Sequence, residues 1–225
     1  MRSSEEVLRV LNSVYLPRLM LDKYWSGEFL QIPDLPKTFI LENGMTLVLR
    51  NARKDEDHRL YEMFADAEKK GGGYAVHEFP SLDIMRLNVF ADGYTAVLEE
   101  EKTNKIVGVL IFQDSTMSRS GKGKVGDELI VISAEFRGKD LGHFLYSMTL
   151  FLDKVLGYER ILKDSAITTS SIFKMFRRHS QVSYCGALPR GFFQKEVGWV
   201  DLILAVQEVE ELPDWHLMET KKSRL

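Results

Sequence analysis

One segment of the sequence combines residue types that could bind an anion. Residues 127–133 (DELIVIS) read as a buried strand and residues 134–142 (AEFRGKDLG) as a turn, with a long helix beginning after Arg137. Backbone N–H groups in the first turn of a helix have no intrahelical partner, and the helix dipole favours negative charge there. Gly138 and Gly142 would let a phosphate approach the main chain. The segment predicts a main-chain phosphate site, and an ordinary strand-to-helix turn is the alternative.

The spacing of the glycines excludes two common nucleotide motifs. Neither this turn nor residues 120–127 (SGKGKVGD) has the glycine, four residues and Gly-Lys-Ser/Thr of a P-loop. The Gly-x-Gly-x-x-Gly order of a dinucleotide-binding turn is also absent. Any phosphate bound here therefore belongs to another class of ligand.

Several side chains of the sequence have the chemistry of proton acceptors. Asp127 and Glu128 begin the predicted strand, and His77 and Glu78 follow a run of three glycines. Positioned carboxylates and imidazoles are the usual general bases of enzymes. The alternative for each is a solvated residue paired with a surface cation, and His143, in the first turn of the long helix, reads as a surface or packing residue.

Composition excludes other kinds of site. The single cysteine, Cys185, allows neither an internal disulfide nor a cysteine metal site, and no His/Asp pattern around it suggests a nucleophile, so we expect it to pack in a strand and expect no metal. The 225 residues carry 30 basic and 33 acidic side chains, for a net charge of −3, which argues against nucleic acid as a partner. No apolar run is long enough for a membrane span. We expect a cytoplasmic protein.

The elements that must position these residues follow from hydrophobic periodicity. Ser3 and Glu6 have capping-box spacing at the start of a short amphipathic helix that Pro17 ends, and residues 23–43 read as an irregular arm. The pattern then predicts a mixed α/β order: a strand at 45–50, helices at 55–69 and 80–90, strands at 94–100, 106–113 and 127–133, a helix to about 156, a strand at 158–162, a helix at 169–179 and a strand at 199–206.

The turn and this element order together resemble the GCN5-related N-acetyltransferase (GNAT) superfamily. Its members bind acetyl-CoA through an Arg/Gln-x-x-Gly-x-Gly/Ala turn, which Arg137 to Gly142 match except for Asp140 at the first glycine of that pattern. Residues 185–189 (CGALP) and 198–201 (GWVD) look like the family's closing hairpin. The resemblance implies an N-terminal helix and arm at 1–43, an acyltransferase domain at 44–209 and a C-terminal tail at 210–225.

The resemblance implies a mostly antiparallel central sheet, flanked by helices and split between its fourth and fifth strands. The pantetheine arm of acetyl-CoA or another acyl-CoA would lie in the split and its pyrophosphate on the turn. We expect Asp140 to point to solvent, with Lys139 or Arg137 offsetting its charge. The cofactor-binding residues implied are Leu129, Ile130, Val131, Ile132, Ser133, Arg137, Gly138, Lys139, Asp140, Leu141, Gly142, Phe176 and Arg177.

The activity implied is direct acyl transfer from the thioester to a primary amine. Asp127 or Glu128 would be the base, and a backbone N–H near Val131 to Ser133 would stabilise the oxyanion. Phe176 stands where the family has a tyrosine that protonates the leaving thiolate, so Tyr184 or Cys185 is the nearest replacement in sequence.

Three functions stay open at this point. The first is an N-acetyltransferase whose acceptor is a small-molecule amine or a protein amino group. The second is a GNAT-fold acyl-CoA-binding protein without efficient transfer, acting as a sensor or interaction module, which Phe176 favours. The third is an interaction protein that works through its N-terminal helix. The N-terminal arm makes a homodimer plausible.

Overall fold

The structure is a computed structural model that describes residues 27–41, 43–70, 73–76, 78–117, 124–139, 141–166 and 182–209. The predicted N-terminal helix, the predicted helix at 169–179 and the C-terminal tail lie outside these residues. Four candidate site residues also lie outside them: His77, Asp140, Phe176 and Arg177.

The described chain forms one eight-stranded sheet with helices on both faces. The strands are β1 (Lys37–Ile40), β2 (Thr46–Asn51), β3 (Tyr94–Glu100), β4 (Lys105–Asp114), β5 (Val125–Ile132), β6 (Arg160–Ala166), β7 (Val182–Gln194) and β8 (Gly198–Glu208). The α-helices are α1 (Asp57–Lys69), α2 (Leu82–Met85), which continues as a π-helix at Arg86–Phe90, and α3 (Leu141–Leu156).

The order of strands across the sheet is β1-β2-β3-β4-β5-β6-β8-β7, and every pair is antiparallel except β5 with β6. This confirms the predicted mixed, mostly antiparallel sheet flanked by helices. None of the helices in the described ranges has the length and apolar character needed to cross a bilayer.

Strand β1 corrects one expectation from the sequence. It lies within the segment predicted to be an irregular arm, yet Lys37 pairs with Leu49 of β2, and Phe29 and Ile32 before it are 4% and 2% exposed. Only four residues form the strand, and Pro36 directly precedes it, so the alternation is too short to stand out in the sequence. The sheet therefore extends on the N-terminal side of Gly44.

Two hydrophobic cores lie on opposite faces of the sheet because successive strand side chains point to opposite sides. Leu129 and Val131 of β5 pack with the core under α1 and α2, here called the α1 face. Ile130 and Ile132 pack with the core under α3, here called the α3 face. Helix α3 comes close to β4, where a Cβ on Gly108 would lie 2.8 Å from Cδ1 of Leu145.

The sheet splits between β5 and β6. These strands pair in parallel only from Val125 with Arg160 to Asp127 with Leu162. Beyond that point β5 stays on β4, while β6 stays paired with β8 as far as Ala166 and Leu202. The split lies between the predicted fourth and fifth strands, as the sequence indicated, and β1 adds one strand before them.

Candidate active site

Among the described residues, no strand pairs with the second edge of β5 after Asp127. The Ser133 N–H donates to the Val107 carbonyl at 2.9 Å, and the Ser115 N–H donates to the Val125 carbonyl at 2.9 Å, so odd-numbered residues of β5 bond to β4. In an antiparallel pair of strands, residues whose main-chain N–H and C=O groups point to the partner strand alternate with residues whose groups point away from it. The main-chain groups of Ile130 and Ile132 therefore face the split.

This parity narrows the expected position of the oxyanion-stabilising N–H. The predicted range ran from Val131 to Ser133, but the N–H groups of both end residues are directed to β4. Within that range only the Ile132 N–H is directed to the split. The Ile130 N–H, two residues earlier and outside the predicted range, is directed there as well.

Side chains occupy the two carbonyls that Ile130 and Ile132 present to the split. The Tyr74 hydroxyl donates to the Ile130 carbonyl at 2.7 Å. Nε of Arg137 donates to the Ile132 carbonyl at 2.9 Å. At these two residues the open edge is left with N–H donors, so a chain entering the split meets groups that select for carbonyl oxygens.

The predicted phosphate turn follows directly from the end of this edge. Gly138 has a φ of +73°, a conformation that favours glycine, and no atom of the described residues lies within 4 Å of a Cβ built on it. At Gly142, in the first turn of α3, the nearest atom to such a Cβ is Cδ1 of Ile132 at 3.9 Å. Both glycines therefore border open space at the N-terminus of α3.

The charged side chains of the turn are held by neighbours. A guanidinium nitrogen of Arg137 lies 3.8 Å from a carboxylate oxygen of Asp66 on α1, and Nζ of Lys139 lies 4.8 Å from the centre of the Phe136 ring. Arg137 is thus turned toward the strand end, while Lys139 stays at the turn.

Three carboxyl groups, here called the acidic recess, interact electrostatically on the α1 face: Glu78, Asp127 and Asp164. Burial and the neighbouring charge of Asp164 raise the pKa of Asp127 to about 7. Burial and the charges of Asp164, Glu68 and Asp127 raise the pKa of Glu78 to about 7, even though its carboxylate accepts the Ala75 N–H at 2.6 Å. Burial also raises the pKa of Asp164. Groups that titrate near neutral pH are suited to proton transfer.

The segment that follows α1 reaches across the mouth of the split. The Val76 N–H donates to the Phe193 carbonyl of β7 at 3.0 Å. The ring of Tyr74 packs edge-to-face on Phe64 and Phe79, with centroids 5.3 Å apart in both pairs. Burial, with the charge of Glu78 adding to it, raises the pKa of Tyr74 well above its usual range, so its hydroxyl keeps its proton.

Glu128 lies on the opposite face of the sheet from Asp127. It is ion-paired with Lys163, and the two side chains are 3% and 6% exposed. Nζ of Lys163 also lies 4.9 Å from the centre of the Tyr146 ring, and burial and Glu128 raise the pKa of the neighbouring Asp153 well above its usual range. The structure brings Asp127 to the acidic recess and places Glu128 in a buried polar cluster on the α3 face.

The remaining candidates lie on β7. Tyr184 is 54% exposed, and its register partner on β8 is Ala205. Cys185 is in a strand, as expected, but its thiol is exposed, so the expectation that it packs is wrong. Its position follows from a break in the β7 register between Tyr184 and Gly186.

Sequence reasoning missed Tyr74 and Asp164 as site residues. Asp164 was missed because the predicted strand ended at Leu162, whereas β6 continues to Ala166. Tyr74 lies in an irregular segment, 56 residues from the carbonyl it binds, and no spacing rule connects them. Within the described ranges, no three His, Cys, Asp or Glu side chains lie close enough together to hold a metal ion.

Comparison with solved structures finds similar folds at low sequence identity. A GCN5-related N-acetyltransferase from Kribbella flavida has a TM-score of 0.61 and 17% identity over 72% of this chain and 97% of its own. A Salmonella typhimurium protein solved with its cofactor acetyl-CoA has a TM-score of 0.61 and 16% identity over 74% and 95%.

A spermidine N-acetyltransferase chimera from Vibrio cholerae and hSSAT has a TM-score of 0.56 and 14% identity over 73% of this chain and 96% of its own. Neither the family models nor the curated proteins that were searched gave a match.

Proposed function

We propose that this chain, which has the fold of the GCN5-related N-acetyltransferases, is an acyl-CoA-dependent N-acetyltransferase that transfers the acyl group directly to a primary amine. The observation that carries the proposal is the open edge of β5, which presents N–H groups at Ile130 and Ile132 and runs into a glycine-bordered helix N-terminus. The strand-edge N–H groups suit a ligand arm that carries carbonyl groups, and the helix N-terminus beside them suits a phosphate attached to that arm.

Acyl-CoA would be held mainly by main-chain groups. The N–H groups of Ile130 and Ile132 would donate to carbonyls of the acyl-pantetheine arm, and one of them would face the thioester oxygen on which charge develops. The pyrophosphate would lie on the amides at Gly138 to Gly142, with Lys139 as a nearby cation. The carboxyl groups of the acidic recess lie on the α1 face, and one of them, Asp127, stands at the closed end of this path.

Asp127 is assigned as the base. It is the last residue of β5 paired with β6, so its side chain stands where the split closes and where the acyl end of the cofactor must stop. Its pKa of about 7 lets it accept a proton from an amine near neutral pH. We assign Glu128 a structural role, because it forms a buried ion pair with Lys163 on the opposite face of the sheet. The exposed Tyr184 is not needed for this step.

The acceptor is proposed to be a small-molecule amine or a protein amino group. The acidic recess would attract it in its ammonium form and then remove a proton, which leaves the neutral amine that attacks. A second candidate function, binding of acyl-CoA without efficient transfer, is favoured by Phe176 at the position of the family's tyrosine.

Thermal unfolding with and without acetyl-CoA tests the binding shared by both candidates. A ligand at 100 times its Kd stabilises the folded state by about 2.7 kcal/mol. No stabilisation by acetyl-CoA, CoA or longer acyl-CoAs would contradict both. If binding is found, release of free thiol with a panel of small amines and peptides separates transfer from binding alone, and the Asp127→Asn variant provides the matched control.

A further inference from the structure

The hydroxyl of Tyr74 is held at the open edge of β5 by a rigid support. Its ring packs edge-to-face on Phe64 of α1 and on Phe79, which also contact each other, and the hydroxyl donates to the Ile130 carbonyl at 2.7 Å. The Val76 N–H bond to β7 fixes the same segment on its other side. The Tyr74 hydroxyl is therefore a hydrogen-bond donor held at one defined position in the split.

The length of the acyl-pantetheine arm places the thioester near that point. About twelve bonds separate the pyrophosphate oxygen from the sulfur, which gives a reach of ~14 Å. That length corresponds to about four residues of a strand at ~3.3 Å each. Counted back from Ser133, beside the phosphate turn, the sulfur comes level with Leu129, and the closed end of the split at Asp127 and Leu162 prevents further advance.

We infer that Tyr74 is a catalytic residue of the transfer, an inference that rests on the proposed function. When acyl-CoA enters, the amide N–H next to the thioester takes over the Ile130 carbonyl, and the released Tyr74 hydroxyl donates to the sulfur of the thioester. The amide nitrogen and the sulfur are separated by about three bonds, or ~3.5 Å, so the hydroxyl needs only a small rotation to exchange one acceptor for the other.

The chemical step balances without proton transfer from Tyr74. The lone pair of the neutral amine forms the N–C bond, the C–S bond breaks, and its electron pair stays on sulfur. The first proton of the ammonium has already passed through the acidic recess to water, so Asp127 can take the second proton as the N–C bond forms, and the thiolate leaves with the Tyr74 hydrogen bond. Because burial raises the pKa of Tyr74 well above the value near 8.5 of a thiol, the hydroxyl keeps its proton. The thiolate takes its proton from water, and Asp127 returns one to water.

This role would replace the hydroxyl that Phe176 lacks. It also explains why a tyrosine hydroxyl lies at this edge of β5. The Ile130 carbonyl does not need Tyr74 as its hydrogen-bond donor, because water or the cofactor could donate to it instead. A structural cap alone would predict an effect on stability or cofactor binding, whereas stabilisation of the leaving sulfur predicts an effect on kcat.

The test compares Tyr74→Phe, Tyr74→Leu and the control Tyr61→Phe, each assayed for kcat, for the Kd of acetyl-CoA by calorimetry, and for Tm. Tyr61 lies on α1, and its hydroxyl is 3.5 Å from the Phe79 carbonyl, away from the edge of β5. We expect Tyr74→Phe to lower kcat about 10- to 100-fold, with the Kd unchanged or lower because the internal competitor for the Ile130 carbonyl is gone.

Tyr74→Leu should lose kcat to the same degree and also lower the Tm, since it removes the ring packing, and Tyr61→Phe should match the wild type. A Tyr74→Phe protein with wild-type kcat, or one whose only defect is a raised Kd, overturns the inference and leaves the proposed function standing. A wild-type protein that binds acetyl-CoA but transfers to no amine overturns the proposed function, and this inference with it.

Discussion

Glu128 and Lys163 form a buried ion pair one residue beyond Asp127 and Leu162, the last paired residues of β5 and β6. The two strands therefore stay joined through side chains at the first position where their backbones separate. Because the pair lies on the α3 face, it leaves the α1 face of the split free for the acidic recess. The pair marks the place where the split begins, and with it the depth of the opening beside β5.

Lys163→Met should lower the free energy of unfolding by about 3–5 kcal/mol, because it leaves Glu128 buried without its cation. The double variant Lys163→Met/Glu128→Leu should recover much of this loss, since neither charge is then buried. Urea unfolding measures both. Lys105→Met provides the matched control: its pair with Glu135, at 2.8 Å, is about half exposed, and its loss should cost less than about 1 kcal/mol. Equal losses for Lys163→Met and Lys105→Met would contradict this account of the ion pair.

The rate of transfer should rise with pH through a limb near pH 7, since the base works only when it is deprotonated. Asp164→Asn should move the limb to lower pH, because the charge of Asp164 is one of the causes that raise the pKa of Asp127. Asp127→Asn should lower kcat about 10²- to 10⁴-fold. The pH dependence of kcat/KM in the three proteins measures this. If the limb stays at the same pH in Asp164→Asn, the charge of Asp164 does not raise the pKa of the catalytic base.

The acidic recess should make the folded state less stable as pH rises from about 4 to above 7. Asp127 and Glu78 have raised pKa values of about 7, so over this window the folded chain holds protons that the unfolded chain has released. Urea unfolding at several pH values checks the sign.

Replacement of the recess charges should flatten this slope. Asp164→Asn removes one carboxyl and relieves the other two, so its largest stabilisation relative to the wild type should come at pH 8. A variant that is less stable than the wild type at pH 8 would argue that Asp164 has a favourable partner.

Gly142→Glu should abolish binding of acetyl-CoA. A Cβ at this position meets nothing closer than Cδ1 of Ile132 at 3.9 Å, so the fold should accept the side chain, while the carboxylate would fill and charge the phosphate site. Gly142→Ala is the steric control and should keep most of the affinity. Calorimetric Kd values decide the matter, and tight binding by Gly142→Glu would mean that the phosphates lie elsewhere.

The sequence was sufficient for most elements of the described fold and, through the family resemblance, for the place of the split. The 3.6-residue period of α3 and the apolar runs of β4 and β5 are strong local signals, and the split follows from the family resemblance that the turn after Arg137 carries. Strand β1 was missed because four residues beside a proline give no usable period, and it is held by pairing with β2.

The site was only partly predictable for a geometric reason. Asp127 and Glu128 are neighbours in a strand, so the sequence implies that they face opposite sides, but only the packing of Leu129 and Ile130 shows which side is which. The direction of each main-chain N–H depends on register with β4, which no local pattern encodes. Tyr74 reaches β5 from a distant segment, and such contacts arise only in the folded chain.

The open edge of β5 also determines how fast its amides exchange with solvent. The N–H groups of Val131 and Ser133 are bonded within the sheet, whereas those of Ile130 and Ile132 face the split, so deuterium should enter this strand in an alternating pattern. Acetyl-CoA should slow exchange at the even positions and erase the alternation. By this measure the proposed ligand would behave as a missing strand of the sheet, and its binding would complete the pairing of β5.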